Sequence, residues 1–280
     1  MTINALLNSA ERSMTANGHW LFLQRLTHTV PSTQTGTVPP IVFLHEGLGA
    51  ITMWKGLPSR LCAAVSRDGV VYDRWGHGRS EPLDGLARGG RPHDYHTTEV
   101  VALRDLLDAE GIERAVLFGH SDGGTIALLA AALMPERVDA IITLAAHVFV
   151  EEVSIAGIED AVTSYEAPDS RLHAALLRHH GVDRADRVFY GWADTWRDPA
   201  FRDWNIVAQL PAVTCPTLVI QGAGDEYGTP AQVEAIVGGV NGPAHPLLID
   251  GCGHAPHLEA EDTVIAAMRA FLTATWENVP

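Results

Sequence analysis

Apolar and polar positions follow two different periods along this chain, and the changes of period mark out its elements. Short, nearly continuous apolar runs occupy residues 41–44, 69–73, 115–118, 138–146, 217–221 and 244–249. Such runs, bounded by turn residues, predict strands buried on both faces. Between them, apolar residues recur at helical spacing over 54–65, 97–110, 230–237 and 259–276. Within 97–110 the apolar positions are Val100, Val101, Leu103, Leu106 and Leu107, and Gly111 ends the run as a C-terminal cap. The segment running to Leu133 is alanine-rich and apolar throughout, which predicts a buried helix. Residues 9–27 predict a hairpin turning at Asn17-Gly18, with Trp20, Phe22 and Leu26 on one face. Residues 31–40, rich in Thr and Pro, and residues 83–92 are expected loops.

This order of strands and helices predicts an α/β protein. The alternation stops between His147 and Leu210. Short helical pieces are expected there, broken by Gly157, Pro168, Gly181, Gly191 and Pro199. The same segment holds Tyr165, Phe189, Tyr190, Trp192, Trp196, Phe201 and Trp204, more than a third of the chain's aromatics. An aromatic-rich insertion fits a lid over a ligand site; ordinary helices packed on the core are the plainer alternative. The expected organisation is therefore a core of residues 1–146 and 211–280 with a helical cap at 147–210.

The formal net charge of −15 repels phosphates, so neither nucleic acid nor an anionic membrane is an expected partner. Cys62, Cys215 and Cys252 are odd in number and widely spaced, which fits a reducing compartment rather than a disulfide framework. Residues 1–18 lack the apolar core of a signal peptide. No window approaches the ~18 apolar residues that span a bilayer. The expected location is the cytoplasm.

The chemistry gathers where predicted strands end. Gly119-His120-Ser121-Asp122-Gly123-Gly124 lies between a strand and a helix, the context in which G-x-S-x-G lifts a serine hydroxyl above a sheet. The bland alternative is a serine capping a helix. The strand at 41–44 ends in His45-Glu46-Gly47-Leu48-Gly49, suited to offering a backbone N–H to an anion.

H-E-G-L-G, Y-D-R-W-G-H-G-R-S, G-H-S-D-G-G, G-A-G-D and G-C-G-H, taken in this order, resemble the α/β-hydrolase superfamily. The likeness is to its branch of serine esterases, lactonases and C–C hydrolases with a small helical cap. It implies a mostly parallel eight-stranded sheet with helices on both faces. It also implies a triad in the chain order serine, acid, histidine, which Ser121, Asp225 and His254 satisfy. Glu226, Glu151 and Glu152 compete with Asp225, and His257 competes with His254. The oxyanion donors implied are the N–H groups of Asp122 and Gly47. Glu46 stands where the family usually has glycine, so it is either a turn acid or a substrate contact. The Asp122 side chain is expected to favour the helix N-terminus electrostatically. His147 is either a pocket residue or a hinge residue, and Trp192 and Trp196 are candidate substrate contacts. No metal-ligand spacing and no dinucleotide fingerprint is present, so neither a metal nor a cofactor is expected.

The implied activity is a cofactor-free serine hydrolase that cleaves a carboxylic ester through an acyl-enzyme, with lactones, thioesters and C–C substrates behind. A lyase or perhydrolase of the same fold, or a ligand-binding receptor that retains the triad, are the alternatives. The expected partner is a small molecule with a carbonyl centre and some apolar surface, acted on by a monomer or homodimer.

Overall fold

The runs at 41–44 and 115–118 lie side by side at the centre of one eight-stranded sheet. Ile41, Phe43, Val116 and Phe118 join the apolar cluster on one face; Val42, Leu44, Ala115 and Leu117 join the cluster on the other. All eight are fully buried, which is why these strands read as continuous apolar runs. The computed structural model describes residues 7–29, 38–85 and 88–277. The expected loop at 31–40 therefore lies outside the described residues up to position 37.

The strands are β1 (Leu7–Ala16), β2 (His19–His28), β3 (Ile41–Leu44), β4 (Gly69–Tyr72), β5 (Ala115–His120), β6 (Val138–Leu144), β7 (Thr217–Gly222) and β8 (Ala244–Ile249). Their spatial order is β1-β2-β4-β3-β5-β6-β7-β8. β1 and β2 run antiparallel to each other, β2 antiparallel to β4, and the remaining neighbours are parallel. The helices are α1 (Leu57–Val65), α2 (Tyr95–Ala109), α3 (Asp122–Leu133), α4 (Glu152–Glu166), α5 (Arg171–His180), α6 (Ala185–Arg197), α7 (Pro230–Gly239), α8 (Pro256–Glu259) and α9 (Glu261–Glu277). α1 and α9 cover one face of the sheet; α2, α3 and α7 cover the other. α4, α5 and α6 pack together around a third apolar cluster, which Tyr95 of α2 joins. Among the described residues no helix is long and apolar enough to cross a membrane.

Several local expectations change. The hairpin turns at Asn17 and Gly18, both at positive φ, as a tight two-residue turn requires. Leu21 and Leu23 are buried on the face opposite Leu26, in the cluster that α2 and α3 cover, whereas Trp20 at the start of the predicted face is exposed. The expected helix at 54–65 is split at Lys55 and Gly56, which adopt φ of 49° and 77°. β6 stops at Leu144 because Ala145 turns to φ 50°. Gly157 and Gly191 do not interrupt their helices. Gly157 sits inside α4 where a Cβ would come within 2.7 Å of the Glu226 carbonyl, so its small size serves close approach rather than a break. The breaks at Pro168, Gly181 and Pro199 stand as expected. The chain leaves β6 and returns toward β7 through a short antiparallel contact: Phe149 bridges Asn205, and the Ile206 N–H donates to the Val148 carbonyl at 2.8 Å.

From β3 the chain moves outward to β4, then crosses to the other side of β3 to form β5. The strand order therefore reverses between β3 and β5. In an open parallel sheet that reversal opens a crevice at the carboxyl ends of the two strands.

Candidate active site

β5 ends at His120, and Ser121 follows with φ 53° and ψ −118° before α3 begins. A non-glycine residue at such angles is strained, and the strain persists only where the surroundings impose it. Here they are two glycines. A Cβ on Gly119 would lie 2.2 Å from the Gly123 carbonyl oxygen, and one on Gly123 would lie 2.0 Å from that of Leu44. The strand, the turn and the helix can approach this closely only without side chains at those positions. The Ser121 N–H donates to Leu144 O at 2.8 Å, which ties the turn to β6.

Asp225 and His254 occupy the loops that follow β7 and β8. The His254 Nδ1 and Asp225 Oδ1 atoms are 2.8 Å apart, and the same carboxyl oxygen accepts the Tyr227 N–H at 2.9 Å. Burial opposes the Asp225 charge, but the bonds from His254 and Tyr227 outweigh it and hold the carboxyl below its usual range. The competing acids are engaged elsewhere. Glu226 accepts the backbone N–H of His254. Glu151 accepts from Thr229 and Gln232 at the start of α7, and Glu152 pairs with Arg202. His257 packs against Trp54 and His120, with ring centroids at 5.1 and 4.5 Å.

Ser121 and His254 line one cavity of about 340 Å³. Among the described residues no hydrogen bond joins them directly; such bonds are often long without substrate and tighten when it binds. His147, Trp192, Trp196 and Tyr227 line the same cavity, with Leu48, Met53 and Ile158 adding apolar surface. His147 faces His254 across 5.8 Å and Trp196 across 5.3 Å. Burial, reinforced by the neighbouring His254 ring, lowers its pKa to about 4, so it is neutral at pH 7. Trp192 lies over Gly47, where a Cβ would come within 2.5 Å of its Cδ1 atom. Neither the Gly47 N–H nor the Asp122 N–H has an acceptor among the described residues, and the latter is one of the free donors at the start of α3.

Two acids have partners that local sequence did not disclose. Glu46 lines the cavity, and its Oε2 lies 3.4 Å from His120 Nδ1. His120 Nε2 in turn lies 2.8 Å from the His254 carbonyl oxygen. Both ring nitrogens of His120 therefore face acceptors, an arrangement that suits the doubly protonated ring. Burial opposes the Glu46 charge, but His120 and His257 bring its pKa down to about 2. The Asp122 carboxylate does more than favour a helix terminus. It is buried and accepts from Tyr95 Oη at 3.0 Å, lies 3.3 Å from His96 Nε2, and accepts from Arg74 Nη2 at 3.4 Å. Burial is again outweighed, here by His96, Arg74 and Arg91, and the carboxyl sits far below its usual range. Arg74 belongs to a motif visible in the sequence; Tyr95 and His96 carried no signal beyond their place at the edge of an amphipathic helix. Among the described residues no group of three or more His, Cys, Asp or Glu is placed to hold a metal ion.

A sequence profile of the alpha/beta hydrolase family matches residues 41–267. The chain is 31% identical over 265 residues to polyketide synthase ThaQ of Burkholderia thailandensis, covering 84% of this chain but only 12% of that protein's length. It is 29% identical to serine hydrolase BPHL of Homo sapiens, over 72% of this chain and 68% of that one. It is also 29% identical to esterase YbfF of Escherichia coli, over 83% of this chain and 92% of that one. Among solved structures, an enol-lactonase from Burkholderia xenovorans superposes with a TM-score of 0.70 at 21% identity, over 94% of this chain and all of that one.

Proposed function

Because this chain belongs to the alpha/beta hydrolase family, we propose that it is a serine hydrolase that cleaves carboxylic esters through an acyl-enzyme. Ser121 Oγ attacks the carbonyl carbon while His254 Nε2 takes its proton. Asp225 holds the His254 ring by Nδ1 and stabilises the imidazolium that forms. The oxyanion is received by the N–H groups of Gly47 and Asp122. His254 then returns the proton to the leaving alcohol, and water repeats the sequence to free the acid. Lactones and thioesters undergo the same acyl transfer. The apolar and aromatic lining suits a substrate with apolar surface around its carbonyl. Residues 147–210 serve as the cap over the cavity. Cys62, Cys215 and Cys252 are free thiols, which fits a reducing compartment such as the cytoplasm.

The observation that carries this reading is the 2.8 Å His254–Asp225 contact, with His254 on the wall of the cavity that also holds the strained Ser121. The test is turnover of chromogenic esters, lactones and thioesters by the wild type and by Ser121→Ala, with a fluorophosphonate to label Ser121. The expected loss in kcat is on the order of 10⁴–10⁶-fold for Ser121→Ala. Full turnover by that variant overturns the serine mechanism.

A further inference from the structure

Arg74 is fully buried and does not touch the cavity. Its Nη2 donates to the carbonyl oxygen of Glu46 at 2.8 Å and to Asp122 Oδ2 at 3.4 Å. The first acceptor belongs to the peptide group whose nitrogen is that of Gly47. The second belongs to the residue that carries the other free N–H. Arg74 reaches the first peptide by another route too. Its own backbone N–H donates to His45 Nε2 at 3.0 Å, which leaves His45 Nδ1 to carry the ring proton. That Nδ1–H points at the same Glu46 carbonyl across 2.7 Å. The Gly49 N–H is a third donor to it, at 3.0 Å.

From these contacts we propose that Arg74 is the positioning residue of the oxyanion hole. One guanidinium nitrogen bridges the two segments that carry the donors and fixes the distance between them. Hydrogen bonds at a peptide's carbonyl also polarise its N–H, so the donors converging on Glu46 O strengthen the Gly47 N–H as a donor. Both bonds leave the same nitrogen of a rigid planar group, which aims them; lysine's flexible stem carries its ammonium without that fixed direction. The guanidinium keeps its charge here. Burial opposes that charge, but Glu99 and Asp122 outweigh the opposition and hold its pKa above the ordinary value. Glu99 Oε1 lies 3.8 Å from Nη1. The arrangement also accounts for an aspartate directly after the nucleophile: its carboxylate anchors the guanidinium.

This inference rests on the acyl-transfer reading above, and the test separates the two. Arg74→Lys, Asp122→Asn and Ser121→Ala are compared with the wild type on the best ester of the panel. The readouts are kcat and KM separately, the inhibition constant of an alkylboronic acid that mimics the tetrahedral intermediate, and the thermal midpoint. Removing one oxyanion donor costs on the order of 10²–10³-fold, so disturbing the group that aims two of them is expected to lower kcat by roughly 10- to 100-fold in Arg74→Lys. KM should stay within about threefold, because the ground-state carbonyl gains little from the hole, and boronate affinity should fall in step with kcat. Asp122→Asn keeps its N–H but removes the charged anchor; it is expected to show the same pattern at roughly 3- to 10-fold. Should the lysine variant not fold, Asp122→Asn reports the bridge from its other end. Unchanged kcat and boronate affinity in a folded Arg74→Lys, or in Asp122→Asn where the lysine variant does not fold, overturns the positioning role. So does a loss confined to the thermal midpoint. Full turnover by Ser121→Ala overturns the acyl-transfer reading on which it rests.

Discussion

Glu46→Gln isolates the ion pair that ties the loop after β3 to His120. Glu46 has an ordinary pKa of 4.5 and is held at about 2, chiefly against burial, by His120 and His257. His120 moves the opposite way: burial opposes its charge, but Glu46, the His254 carbonyl and Asp225 outweigh it, so its pKa rises above 6.5. Glu46 therefore contributes stability that is complete above its unfolded pKa of 4.5 and is lost as pH falls toward 2. The His120 contribution is complete below its unfolded pKa of 6.5 and is lost as pH rises through its raised folded pKa. The two describe one contact, so it is strongest between 4.5 and 6.5. The fall from 4.5 to about 2 corresponds to at most about 3 kcal/mol. The Glu46 side chain is 21% exposed, and glutamine can still donate to His120 Nδ1. The expected difference is therefore about 1–3 kcal/mol in urea unfolding near pH 5.5, narrowing by about pH 9. A gap that stays level between those two pH values, or no gap at all, refutes the ion pair as the source of the effect. His254, His257 and Asp225 also surround His120, and Glu46→Gln leaves all of them in place.

Two further substitutions probe the framework beneath the chemistry. Asp225→Asn is expected to lower kcat/KM by about 10³–10⁴-fold, because the amide can offer His254 Nδ1 a donor and so fix the wrong tautomer. Its thermal midpoint should stay near the wild-type value, and a loss of less than about tenfold removes Asp225 from the proposed triad. Gly123→Ala places a Cβ 2.0 Å from the Leu44 carbonyl, a backbone atom that cannot swing aside. The expected cost is roughly 3 kcal/mol or more, with Ser121 unreactive toward fluorophosphonate in whatever folds. A stable, normally labelled variant contradicts the close-packed turn.

The parts of this molecule that local chemistry demands are the parts that sequence reveals. Gly119 and Gly123 bracket Ser121 because no other residue fits beside a strand and a helix that nearly touch. The strands at 41–44 and 115–118 read as unbroken apolar runs because helices cover both faces of the sheet. Asp225 and His254 follow strand ends in the order that the family resemblance implied. Other features depend on partners distant in sequence. Glu46 meets His120, 74 positions away, and Asp122 meets Arg74, 48 positions away; neither pairing leaves a periodic or compositional trace. Gly157 reads as a helix break because a glycine that ends a helix and one that admits a neighbouring backbone look alike in one dimension. Only the carbonyl of Glu226 against α4 separates the two cases.

The short antiparallel contact at Val148, Phe149, Asn205 and Ile206 works like a drawn purse-string. Everything between those residues leaves and re-enters the sheet through one narrow neck. The 104 positions that separate Ser121 from Asp225 therefore impose no geometric debt on either residue. The segment is also moored along its underside: His180 accepts the Gly78 N–H and faces the Leu48 carbonyl, and Trp196 donates to Tyr95, so whatever shifts the helices pulls on the loop that carries Gly47.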